Sequence, residues 1–461
     1  MSILTRRQAL ATVAGSTLTG ARSWAAEANP WTAVYPQILK RIQAPKFPTR
    51  DFEVTRFGGK ADGRTDCTAA FRAAIEAANK AGGGRVVVKE GVCLTGAIHL
   101  KSNVNLVVAR GATLRFDPNP ALYPMVLTRF EGLELMNYSP FIYALDQQNI
   151  AITGGGTLDG QASERNWWPW AGKRGAAPDE PNQRKARALL MELAEKGTPV
   201  AERRFGDGHY LRPMFVQPYR CTNVLIEDVT ITNSPMYEVH PVLCRNVTVR
   251  NVTVNTHGPN NDGCDPESCV DVLIEGCTFD TGDDCIAIKS GRNADGRRLH
   301  APSENVIVQN CEMKDGHGGV TLGSECSGHI RNVFAQDCRM DSPSLDRVLR
   351  FKDNAIRGGV IEHVYLRNVQ CGQVAQAAIE VDFYYEEGEK GSFTPVVRDV
   401  EVVNLSVKKC NMAWSLRGYP NAPIRDIRLQ NCTFENAAKT AVAEHVEGLA
   451  LEKVTINGRP V

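Results

Sequence analysis

Two short stretches concentrate acids in a chain otherwise rich in Val and Thr. GPNNDGCDPESC, residues 258–269, carries Asp262, Asp265 and Glu267, and TGDDCIAIKSG, residues 281–291, carries adjacent Asp283 and Asp284. Adjacent carboxylates at the mouth of a buried strand cannot all ionise easily, so at least one is expected to keep its proton above the usual range. A protonated acid beside ionised ones is the pairing that acid–base cleavage of a glycosidic bond requires. Further along, DGHGGVTLGSE supplies His317, and RVLRFKDN supplies Arg350 and Lys352. The plainer reading is a solvated charged face. Against it, these residues sit in Gly-rich, apolar surroundings.

What could bring them together is a repeat. NVLIEDVTI at Asn223, NVTVRNVTV at Asn246, DVLIEGCTF at Asp271, NVIVQNCEM at Asn305 and NVFAQDCRM at Asn332 are copies of one unit. Copies continue at His363, Asp399 and Asp426, with looser ones at Asn103 and Asn149. Each alternates apolar and variable residues, the period of a half-buried strand. Each is then interrupted by Asp228, Asn251, Gly276, Asn310, Asp337, Asn368, Asn404 or Asn431, residue types that tolerate a left-handed bend. These positions are separated by 23 residues (Asp228 to Asn251) up to 36 (Asn368 to Asn404). A near-constant unit with variable insertions predicts an all-β fold, a right-handed parallel β-helix. Its coils should stack roughly 4.8 Å apart.

In such a solenoid, residues at one phase line up. Asp283 is six residues past Cys277 and His317 six past Cys311, so the two should be neighbours. Asp262, Arg350 and Lys352 lie on longer excursions that could reach the same face.

Other segments have their own signals. The amphipathic stretch DGRTDCTAAFRAAIEAANKAGGG predicts a capping helix over the open N-terminal end, with Thr65 or Asp66 as N-cap and Gly82 to Gly84 as its stop. Its inner face would be Phe71, Ala74, Ile75 and Ala78. Residues 160–215 break the rhythm as an insertion, with a helix expected near 183–196 and Trp167, Trp168 and Trp170 as either packing or a wall for sugar faces. Adjacent Arg6 and Arg7 before a small-residue stretch and SWAA predict a twin-arginine export signal over residues 1–26, hence a periplasmic or secreted location. Residues 27–461 then form a single β-helix domain. Fourteen cysteines would suggest disulfides in an exported protein. Cys277, Cys311, Cys338 and Cys432, however, share a slot with Val and Leu and read as small buried apolar residues. Disulfides among Cys264, Cys269, Cys285 and Cys326 stay open. A net charge of +1 gives no pull toward nucleic acid or membrane.

The order NND (260–262), DD (283–284), GHG (316–318) and RFK (350–352) resembles glycoside hydrolase family 28, the polygalacturonases and rhamnogalacturonan hydrolases. The similarity spans roughly residues 50–440. Asn261 and Phe351 depart from the Thr and Ile of the family pattern, neither at a proton-transfer position. The resemblance implies Asp283 as general acid. Asp262 and Asp284 would activate water for inversion, which asks for carboxyls ~6.5–9.5 Å apart. His317 would support the acid. Arg350 and Lys352 would bind the uronate carboxylate, helped by Asn260, Lys289, Arg292 and Tyr384 (or its neighbour Tyr385). Arg297 and Arg298 would add positive charge. Asp265 is expected to bond the loop and orient Asp262, and Glu267 to be a bystander.

The substrate implied is an acidic plant cell-wall polysaccharide, pectin, with no cofactor and no metal. The insertion and the GRNADGRR loop could close one end of the cleft and favour exo-action. The alternatives are a rhamnogalacturonan hydrolase, a calcium-dependent pectate lyase and a non-catalytic carbohydrate-binding β-helix.

Overall fold

Alternating apolar residues turn inward at every coil, and their register shows how far the stacking runs. In the computed structural model, which describes residues 29–172 and 180–461, parallel pairing joins Val104, Ile150, Val224, Val247 and Val272 in succession. It continues through Val306, Val333, Val364, Val400, Ile427 and Leu449. The fold is a parallel β-helix, and the region expected to be an export signal lies outside the described residues.

A typical coil has three strands. Val270–Glu275 bends at Gly276 into Thr278–Thr281, a corner carrying Asp283 and Asp284 follows, and Ile286–Ile288 forms the third strand. Third strands stack in turn from Ile286–Ile288 through Val320–Leu322, Leu349–Lys352, Ala377–Asp382 and Met412–Arg417 to Val442–Glu444. The bend residues named from sequence all have positive φ, as does the first residue of each unit, which periodicity did not reveal. Both become side-chain ladders along the solenoid. Asn246 donates to Asn223 at 2.7 Å, and Asn404 to Asn368 at 2.9 Å.

The cap is the helix Thr68–Lys80, which buries Ala70, Phe71, Ala74, Ile75 and Ala78. The N-cap position falls on Cys67 and not on either expected residue; Asp66, one residue earlier, accepts the Thr68 N–H at 2.9 Å, and Thr65 turns to Asp62. At the other side, the short helices Pro30–Ala33 and Tyr35–Arg41 lay Trp31 and Ile38 over the outward residues Leu273, Ile307, Phe334 and Tyr365.

The insertion contains the helix Arg184–Glu195, packed through Ala186, Leu190 and Ala194 against Phe130, Leu133 and Leu135. The last three belong to an antiparallel hairpin, Met125–Phe130 with Leu133–Tyr138, unforeseen in the repeat pattern. Trp167 is packing: it is 1% exposed among Tyr123, Tyr138 and Phe141. Trp168 donates to the Ser234 carbonyl at 2.8 Å and presses on Gly258, so it backs the acid-bearing loop. The tryptophans therefore are not the sugar-facing wall that composition allowed. All fourteen cysteines are buried thiols, and no disulfide forms among Cys264, Cys269, Cys285 and Cys326.

Candidate active site

The corner between second and third strands is where loops of variable length can leave the coil without breaking the ladders. Three successive corners carry Asp262, then Asp283 and Asp284, then His317. The next third strand carries Arg350 and Lys352. One oxygen each of Asp262, Asp283 and Asp284 lies within 4.8 Å of the others. His317 Nδ1 is 2.9 Å from Asp283 Oδ1, as their shared phase predicts.

The three acids have different surroundings. Asp284 is fully buried, with Oδ1 accepting from Thr321 at 2.9 Å and Arg350 at 3.5 Å, and Oδ2 accepting from Lys352 at 2.6 Å. Burial pushes its carboxyl up, but Lys352 and Arg350 outweigh this and hold it below the usual range. Asp262 is 2% exposed, and burial pushes it well above the usual range against the pull of Lys289. The raised carboxyl expected of the cluster is therefore Asp262, whereas the sequence reading gave the proton to Asp283. Asp283 has the most exposed carboxylate of the three, at 20%. Its hydrogen bond to His317 lifts that imidazole to about 9.

Asp262 and Asp283 open into a polar pocket of about 100 Å³ whose lining includes Asn260, Lys289, Arg292, Lys352 and Tyr385. It is Tyr385 that lines the pocket and stands over Lys352, 5.5 Å from ring centre to ammonium. Tyr384, the residue preferred from sequence, instead packs on Tyr419 and Arg417. Asn260 is held by Arg212, a buried arginine that also donates to the Pro259 carbonyl.

Two basic residues expected to meet substrate are already occupied. Arg292 pairs with Glu131 at 3.3 Å, Glu386 at 3.1 Å, Glu387 at 3.5 Å and Glu325 at 3.6 Å. Lys289 pairs with Asp262 and Glu325, both at 3.3 Å. Arg298 turns to Glu134 and Arg297 to backbone carbonyls, so neither faces the acids. Asp265 makes no hydrogen bond through its carboxylate among the described residues, and so does not tie down the loop. Glu267 is away from the pocket, sealed by an ion pair with Arg129 at 2.9 Å and a hydrogen bond with His240 at 2.8 Å.

One end of the pocket is walled by groups the motifs did not announce. Glu131, at the hairpin tip, accepts from Arg187 of the inserted helix at 2.6 Å and from Arg292. Gly132 lets this tip come close, because a Cβ there would lie 2.7 Å from Arg292 and 2.8 Å from Glu325. The nearest oxygens of the acids are closer than the ~6.5–9.5 Å carboxyl gap expected for inversion. As a cation site the trio is already served, since Lys352 and Lys289 supply its positive charge.

Fold and site together define a glycoside hydrolase of the parallel β-helix class. The chain belongs to the glycosyl hydrolases family 28, whose family model matches residues 204–453. It is similar to a hyperthermoactive exopolygalacturonase from Thermotoga maritima, with 47% identity and a TM-score of 0.90 over 93% of this chain and 97% of that one. It is 27% identical to an exo-poly-alpha-D-galacturonosidase of Dickeya chrysanthemi, over 85% of this chain and 67% of the relative. It is also 27% identical to an endo-polygalacturonase of Pectobacterium carotovorum, over 73% and 77%.

Proposed function

We propose that the protein hydrolyses α-1,4-galacturonosidic bonds of polygalacturonan, releasing residues from a chain end. The observation that carries this is a pocket lined by Asp262, Asp283 and Lys352, with Asp284 buried behind them, and walled at one side by Glu131, Arg187 and Arg292. A wall there stops a polymer from threading through, and the 47% identity to an exopolygalacturonase supports the same reading.

In this mechanism Asp283, the exposed acid, protonates the leaving oxygen. His317 keeps its proton up to about 9 and can return one to Asp283 through their hydrogen bond. Asp284, held ionised by Lys352 and Arg350, accepts the proton of the attacking water, and Asp262 in its ionised form orients that water beside it. Lys352 and Arg350 meet the sugar carboxylate, with the Tyr385 ring beside them.

Product sizing over time on polygalacturonate tests the reading: galacturonate monomer should lead from the first time point. A descending ladder of oligomers would mean mid-chain cleavage, and activity only on rhamnogalacturonan would reassign the substrate. An unsaturated-uronate chromophore lost on adding chelator would mean lyase chemistry. Export through the Arg6–Arg7 signal is proposed as well, and replacing both with Lys should retain the protein in the cytoplasm.

A further inference from the structure

Lys289 follows the strand Ile286–Ile288, and its backbone is fixed on both sides. Its N–H donates to the Pro266 carbonyl at 3.0 Å, and its own carbonyl accepts from Ser268 N at 2.9 Å and Ser303 Oγ at 2.6 Å. The side chain is only 3% exposed. Its ammonium is 3.3 Å from Asp262 and from Glu325, 4.0 Å from Asp265, and 4.7 Å from the centre of the Tyr237 ring. An ammonium has three hydrogens to donate; two go to Asp262 and Glu325, and the Asp265 carboxylate and the Tyr237 ring crowd the remaining side. A uronate arriving here would have to displace one.

Seen from Asp262, the asymmetry is sharper. Asp284 has three donors on its two oxygens, whereas Lys289 is the only hydrogen-bond donor to the Asp262 carboxylate among the described residues. We propose that Lys289 is a positioning residue whose buried ammonium orients Asp262 and favours its ionised form, with Glu325 competing for the same charge. This rests on the hydrolytic reading of the site.

The other charged groups facing Asp262 are Asp283 and Asp284 from the next corner and Lys352 from the third strand three coils on. Asp265 on its own loop, Glu238 on the preceding coil and the buried Arg212 complete the set. Neither of the two cations among these groups, Lys352 and Arg212, bonds Asp262; only Lys289 does. Removing Lys289 makes Asp262 harder to ionise, and removing the charge of Glu325 makes it easier.

The test is the pH profile of kcat/KM on polygalacturonate for K289M, K289R and E325Q. In K289M, kcat should fall at least about tenfold with KM within about twofold, and the acid limb should move to higher pH by about one unit or more. K289R should keep the limb near its wild-type position, and E325Q should move it to lower pH. A raised KM with an unmoved limb in K289M would make Lys289 a substrate ligand and overturn the proposal. So would an unmoved limb in E325Q, which decides the matter even if K289M does not fold. A wild type that releases no galacturonate would remove the hydrolytic reading and this inference together, whereas an active wild type with unmoved limbs would remove only this one.

Discussion

His317 and Asp283 meet across consecutive coils, with Nδ1 of one 2.9 Å from Oδ1 of the other, while half of the histidine faces solvent. The imidazole is thus held to the acid it serves by one hydrogen bond at the open side of the site.

That bond fixes a pH dependence. Folded His317 keeps its proton to about 9, mainly through Asp283, whereas an unfolded histidine loses it near about 6.5. Between these values the folded state binds more protons, so stability falls as pH rises. The contribution is complete below about pH 6.5 and gone above about pH 9. The Tm gap between wild type and H317A should therefore be present at low pH and close across this window. In H317A the alkaline limb of kcat should also move to lower pH.

Replacing the acids one at a time should separate chemistry from stability. D283N should lower kcat by about 10²–10⁴-fold with a Tm change no larger than that of H317A, because it removes the same partly exposed ion pair. D284N should lose activity similarly and also cost about 3–5 kcal/mol, since it leaves the buried Lys352 without its carboxylate. Thermal unfolding beside initial rates measures both.

The closed end should open on command. Glu131 joins the hairpin tip to Arg187 and Arg292. E131A with R187A should add oligomers to the earliest products of polygalacturonate, while the rate of monomer release falls. Chromatographic sizing of early products reads the change.

Stereochemistry is the fourth outcome. Both oxygens of Asp284 are taken by Lys352, Thr321 and Arg350, and Asp262 is 2% exposed. Neither is free to attack a sugar carbon, so water should be the nucleophile despite the short distance between acids. Proton NMR of the first-formed anomer should show inversion, and retention would point to a covalent intermediate.

The solenoid, the capping helix and the Asp283–His317 contact were legible because each follows from a period. Equal offsets in equal coils leave no freedom. The choice of Tyr384 over Tyr385 missed for a related reason: neighbouring residues after a strand face opposite ways, and one step moves a ring from the pocket to the outside. Glu131, Arg187, Arg212 and Glu325 were missed because they arrive from a hairpin, an inserted helix and loops whose lengths obey no repeat. Charge near the acids was counted correctly but misassigned. Lys289 and Arg292 read as free cations in one dimension, and only the folded chain shows the glutamates that already hold them.

The interior thiols carry a consequence for how this chain is made. Cys221, Cys244 and Cys269 stack coil on coil, the N–H groups of the first two reaching the next sulfur at 3.3 and 3.4 Å. Burial pushes the thiols of Cys264, Cys285 and Cys326 up, away from the reactive thiolate. Once wound, the solenoid is indifferent to oxidants around it. The unwound chain exposes fourteen sulfurs with no native partner for any of them, so every disulfide it forms is an error. Winding therefore has to come before oxidation, and the sequence of those two events sets the yield of enzyme.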